Sequence, residues 1–178
     1  LGDVYKRQLN ANIPNIKNSD NVISQSNEKI NAEVYELTQR VINSYYKEKK
    51  PENHMAVEIN SDVITNTSNW FTLKLTISET LASSSLEYKY YHIDKKTDQM
   101  VRIADLFDGE EYKEVISDEI KKQMKDRMKE NENIVYWIDA ELKDCSFSKI
   151  NDNQNFYFSE NGNIVIVFDK YEVGPGSS

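Results

Sequence analysis

Two histidines, one cysteine and a scatter of carboxylates are the residues of this chain that could do chemistry. His54 follows Pro51-Glu52-Asn53 in a turn, and His92 sits on a strand-like run of tyrosines, where a hydrogen-bonded structural imidazole is the expected role rather than a general base. No His-x-x-x-His or Cys-x-x-Cys spacing exists, and one thiol cannot build a zinc cluster, so Cys145 is predicted to be a packed thiol. Asp94, Lys96, Asp98 and Asp105 imitate a calcium loop, but position six is Gln99 instead of Gly and position twelve is Asp105 instead of a bidentate Glu. Asp139 and Glu141 stand two apart, which in a strand aims both carboxylates to one side as acid–base chemistry would require; solvated surface charge is the commoner reason for such a pair. There is no Gly-x-Ser-x-Gly, and with five glycines in all there is no phosphate-cradling loop. Catalytic residues, metal ligands and cofactors are therefore all predicted to be none, and the chain is read as a non-enzyme.

The remaining candidate chemistry is recognition. Tyr171, Glu172, Gly174, Pro175 and Gly176 make an aromatic, rigid-then-flexible loop after the last apolar run. A tyrosine on such a loop supplies contact area at low entropy cost and suits insertion into a partner's cleft. The plain alternative is a strand-exit loop with Tyr171 packed on the preceding hairpin.

That hairpin is the first of the elements that must position the loop. Asn155–Phe158 and Ile164–Phe168 flank Asn161-Gly162, the dipeptide that most readily adopts the left-handed conformations of a tight turn. Upstream, Ile23, Ile30, Val34, Leu37, Val41, Ile42 and Tyr45 recur at steps of three and four and predict a helix from Asn21 to about Lys50, stopped by Pro51. Val57 and Ile59, then Phe71, Leu73, Leu75 and Ile77, alternate with polar residues as half-buried strands. Ala82–Ser85 reads as a loop. Leu86, Tyr88, Tyr90 and His92 share one face of the next strand, with Tyr91 and Ile93 on the other, and Lys95–Asp98 turns the chain into a short strand to Ile103. Asp108 and Glu111 have capping-box spacing and open a second helix with Tyr112, Val115, Ile116, Ile120, Met124 and Met128 on one side. Ile134–Ile138 fits either a strand or a short helix.

Hairpin-length links and the absence of β-α-β alternation predict an α+β fold, with antiparallel sheet and two main helices packed on one face. Two closely associated subdomains are expected, 9–85 and 86–178, with residues 1–8 set aside as a non-native or disordered segment. The net charge is −8 and the isoelectric point about 4.9, which argues against nucleic acid and favours cationic partners. Nothing approaches the ~20 apolar residues of a transmembrane helix.

Taken in order, several of these pieces resemble one family. Asn155-Phe156-Tyr157, Asn161-Gly162, Ile166-Val167-Phe168 and Tyr171-Glu172-Val173-Gly174-Pro175-Gly176 are similar to the C-terminal part of RsiV-type anti-sigma factor ectodomains. Tyr90–Thr97 followed by Ile103-Ala104-Asp105-Leu106-Phe107, and further back Ile13-Pro14-Asn15-Ile16 with Ile30-Asn31, extend the likeness over roughly residues 10 to 178. The resemblance implies a membrane-tethered, bacterial envelope-stress regulator whose extracellular part binds lysozyme, a basic protein. Binding would expose the tether to proteolysis and release a sigma factor held by a cytoplasmic part outside this sequence. It also implies that an anchor precedes Leu1 and that another strand follows Ser178. The Tyr171–Gly176 loop matches the region of lysozyme contact in the family. Ser83, Ser84 and Ser85 stand where many members carry a Gly-Gly-Ala-His-like turn, a motif this chain lacks. Similar modules also precede peptidoglycan deacetylase domains, so the alternative reading is an accessory wall-binding module or a lipoprotein of the same fold.

Overall fold

The computed structural model describes residues 8–48, 55–80, 84–139 and 146–175. His54, Cys145, Glu141, Ser83 and Gly176 lie outside the described residues. The chain divides into two compact units: residues up to Val101 together with Tyr157–Ile164, and Arg102–Phe156 together with Val165 onward.

In the first unit, β1 (Gln8–Ala11), β2 (Ala56–Asn66), β3 (Trp70–Thr80), β4 (Ser84–Asp94) and β5 (Gln99–Val101) form one sheet in sequence order. β2 to β5 are antiparallel, as the short links require, but β1 runs parallel to β2 and makes the sheet mixed. Gln8, set aside with the first residues, is thus the start of a strand; four residues are too few to carry a legible alternation. Ser84 and Ser85 are not loop residues either, because they pair with Thr80 and Glu79 at the head of β4. The β3–β4 ladder straddles residue 85, so the units divide after Val101 and not at the serine run.

Helix α1 (Gln25–Glu48) lies against this sheet. Ile30, Val34, Leu37, Val41 and Tyr45 form its buried stripe and pack with Val57, Ile59, Leu73, Leu75, Ile77, Tyr91 and Ile93. Each such side chain contributes about 1.5–3 kcal/mol by leaving water. Ile23 stays outside the helix and is exposed, because the helix begins after Ser24. The Ser24 hydroxyl accepts the Asn27 N–H at 3.4 Å, and Ser24 and Ser26 both donate to Asp98 Oδ1. Asp98, in left-handed backbone at φ +51°, thereby ties the β4–β5 turn to the positive end of α1.

The opposite face of β3 and β4 is covered by the tip of the C-terminal hairpin, which belongs to this unit. The Phe158 ring stacks on Trp70 at 4.3 Å and meets His92 edge-on at 6.1 Å, while Tyr157 lies 6.2 Å from Tyr90. Thr65 Oγ1 donates to the Phe158 carbonyl at 2.5 Å.

The second unit is built on α2 (Glu111–Glu130), preceded by a single 3-10 turn (Ile103–Leu106). Its N-cap is Glu110 and no side chain caps it, so the capping box expected from Asp108 and Glu111 is not made. Tyr112, Ser117 and Met124 are buried, whereas Val115, assigned to the same side from the sequence, is exposed. The inward face runs through 117 in place of 115: Ser117 Oγ donates to the Lys113 carbonyl and accepts the Ile150 N–H at 3.0 Å. Tyr112 stacks on Phe107 at 4.7 Å and donates to Asp152 at 2.9 Å. Residues 134–138 are neither strand nor helix but an extended segment that makes one parallel bridge, Ile138 to Phe147.

Candidate functional site

The loop singled out from the sequence leaves the terminal hairpin, whose strands are β6 (Phe156–Phe158) and β7 (Ile164–Ile166). Their connection is longer than a two-residue turn. The Gly162 N–H donates to the Ser159 carbonyl at 2.9 Å and the Ser159 N–H to Asn163, leaving three residues in the loop with Gly162 at φ +80°. This is the hairpin in which one glycine, not the whole Asn-Gly pair, takes the left-handed position. Beyond β7, Val167 N–H still reaches the Asn155 carbonyl at 2.9 Å, and the Phe168 ring packs edge-on against Phe147 at 5.3 Å.

From Asp169 the chain turns sharply. Glu172 N–H donates to the Asp169 carbonyl at 3.0 Å, and the Asp169 N–H returns a bond to the Glu172 carboxylate at 2.6 Å. Val173 is buried, and its carbonyl accepts the Trp137 N–H at 2.9 Å, which fixes the far end of the turn to the extended 134–138 segment. Gly174 is buried and Pro175 half-buried.

Between these two anchors Tyr171 projects with 57% of its surface exposed and with φ +70°. Lys170 Nζ sits 5.0 Å above its ring. Left-handed backbone costs a residue with a Cβ about 1–2 kcal/mol, and non-glycine residues held there concentrate at functional sites. Glu172 is exposed as a residue, and its carboxylate accepts the Asp169 N–H. Lost hydration first, and then the neighbouring Asp169 charge, raise its pKa above the ordinary glutamate value. The loop thus presents an aromatic ring beside a carboxylate that takes up a proton more easily than usual.

The other sequence candidates fall elsewhere. Ser84 and Ser85 lie in the first unit, on β4, and are exposed. His92 is buried, with Nδ1 2.9 Å from Thr72 Oγ1. Asp139 pairs with Lys121 at 2.9 Å. Among the described residues no group of three His, Cys, Asp or Glu could hold a metal ion, and Asp98 serves the α1 terminus instead of a cation. The first unit also holds an open cleft of about 770 Å³ lined by Asn18, Asn27, Phe71, Lys95 and Asp98. Its polar groups are largely bonded to one another, as in Asn27 to Asn18 and Lys95 to Asn66. Sequence reasoning missed the Ser24–Ser26–Asp98 cluster because the serines and the aspartate are more than seventy residues apart. It missed the strain at Tyr171 because nothing in the residue type announces a positive φ.

An α+β unit built on one helix and a short hairpin, carrying an exposed loop and no catalytic constellation among the described residues, is the class to which this fold and site point. Residues 104–178 match the family described as a protein of unknown function, DUF3298. The chain is RsiV-like over most of its length: it is 39% identical over 150 residues to the anti-sigma-V factor RsiV of Bacillus subtilis (strain 168), covering 84% of this chain and 52% of that protein. It therefore spans about half the length of that relative. A crystal structure of a DUF3298 family member from Bacteroides fragilis superposes with a TM-score of 0.56 at 18% identity, covering 85% of this chain and 61% of the other. At that identity the likeness shows the fold alone. Among the described residues no helix is long and apolar enough to cross a membrane.

Proposed function

We propose that this chain is the extracellular ligand-sensing part of an RsiV-like anti-sigma factor, and that it binds lysozyme through the Asp169–Pro175 loop. The observation that carries the reading is Tyr171, an exposed aromatic ring held in left-handed backbone between two hydrogen-bonded anchors. A ring fixed in this way has little conformational freedom to lose on entering a cleft. The net charge of −8 steers a basic partner toward the domain, and rim charges set the on-rate more than the affinity. The likeness to an anti-sigma factor supports the other arm of the reading: a sigma factor is the partner of the whole protein. Docking favours the conformation in which the tether is open to proteolysis, and does so only in proportion to its greater affinity for that conformation.

The test is calorimetric titration of the domain with a C-type lysozyme at low and at physiological salt, with lysozyme activity followed in parallel. One-to-one binding that blocks lysis is the expected result. Tyr171→Ala weakens it at least about thirtyfold if the ring is a central contact. Tyr171→Gly weakens binding equally while leaving the fold intact or more stable, since glycine accepts φ +70° without strain. Binding confined to low salt, or binding indifferent to both substitutions, refutes the assignment; in that case peptidoglycan fragments are the next ligand to titrate.

A further inference from the structure

The open cleft of the first unit, about 770 Å³, has the size of a small-ligand site. Ile16, Phe71 and Ile93 give it an apolar wall. Its hydrogen bonds occupy its acceptors and leave its donors. Asn18 Oδ1 accepts from Asn27 at 2.8 Å and Asn66 Oδ1 from Lys95 at 2.6 Å. Neither the Asn18 nor the Asn66 amide nitrogen donates to a described residue. Asp98 is already engaged, because the Ser26 and Ser24 hydroxyls, with the Ser26 and Gln25 N–H groups, hold its carboxyl below the ordinary aspartate range. Asp20 Oδ1 takes the Val22 N–H at 3.0 Å. The two cations of the cleft are not matched in this way. Lys17 Nζ bonds no described residue, and Lys95 Nζ bonds only the neutral oxygens of Asn66 and Thr67, both at 2.6 Å. Two ammonium groups, two amide groups and an apolar wall are thus left for a ligand, against the second oxygen of Asp20.

We propose that this cleft binds the free carboxylate end of a short peptide. The terminal carboxylate pairs with Lys17 and Lys95. The amide groups of Asn18 and Asn66 donate to backbone carbonyls, and an apolar side chain lies against Phe71 and Ile16. A hydrogen bond to an ionised group is roughly twice as strong as a neutral one, so the chain end is what the cleft selects. A fatty acid carries the same charge but offers no carbonyl to either asparagine. Every residue named here belongs to the first unit, and the site does not depend on the ligand assigned to the Asp169–Pro175 loop.

The experiment follows backbone amide NMR shifts of the whole domain during titration with N-acetyl-leucyl-leucine, with its C-terminal amide, and with octanoate. The acid is expected to give saturable shifts at Ile16–Asp20, Phe71 and Lys95–Asp98, with a dissociation constant of about 1 mM or tighter. The amide and octanoate bind about tenfold more weakly, the first for want of charge and the second for want of carbonyls. Lys17→Gln weakens the acid about fivefold or more and leaves the amide unchanged. Lys17 holds no other described group, so this variant keeps the fold, which the same spectra check. The absence of saturable shifts in the cleft overturns the proposal. So does an amide or octanoate that binds as tightly as the acid, or an acid indifferent to Lys17→Gln.

Discussion

His92 offers the sharpest quantitative test of the first unit. The imidazole is 2% exposed, bonded to Thr72 and covered by the edge of Phe158, and burial lowers its pKa from 6.5 to about 3. The folded protein therefore keeps His92 neutral where the unfolded chain takes up a proton. A depressed pKa of this kind contributes stability that is present above the ordinary histidine value and is lost as pH falls toward about 3. At about pH 5 the unfolded imidazole lies roughly 1.5 pH units below its midpoint, so the loss from this residue is about 2 kcal/mol. The assay is urea unfolding, followed by the fluorescence of Trp70 and Trp137, at about pH 7 and about pH 5 for the parent and for His92→Gln. The carboxylates titrate alike in both proteins, so the difference of the two pH effects isolates His92. The parent should lose about 2 kcal/mol more than the variant over this interval. Equal losses, or an imidazole proton titrating near 6.5 by NMR in the folded protein, would refute the claim that the hairpin tip seals this face.

Two other residues make separate predictions. Glu172 has a raised folded pKa, so its contribution is present below the ordinary value of 4.5 and is lost as pH rises through the raised one. Glu172→Gln keeps an acceptor for the Asp169 N–H, and thermal melts should show it more stable than the parent near neutral pH, with that advantage gone in acid. Gly162→Ala meets no atom within 4 Å but must hold φ +80°, so it should cost about 1 kcal/mol in urea unfolding through backbone strain alone; a neutral effect would mean the loop relaxes to another turn.

Several elements were readable in the chain because their cause is local. The steps of three and four from Ile30 to Tyr45 appear as the buried stripe of α1, and Leu73, Leu75 and Ile77 appear as the core face of β3. On β4 the alternation separated the two faces correctly. It could not say which face meets the helix, and Tyr91 and Ile93 do so while His92 is buried beneath Phe158. The second helix shows where periodicity ends: Val115 fits the apolar pattern and is exposed, whereas Ser117 breaks it and is buried to hold the Ile150 N–H.

The sequence by itself thus determined the α+β class, the long amphipathic helix, the antiparallel core strands, the acidic surface and the presence of an aromatic loop after the hairpin. These follow from side-chain period, turn chemistry and charge, all of which act over a few residues. Only the tertiary structure decided that β1 pairs parallel with β2, that the hairpin tip joins the first unit, that Asp98 caps α1 and that Tyr171 is strained and exposed. Each of these depends on groups far apart in the chain, or on a backbone angle imposed by anchors at either end of a loop, and such constraints leave no mark on residue type.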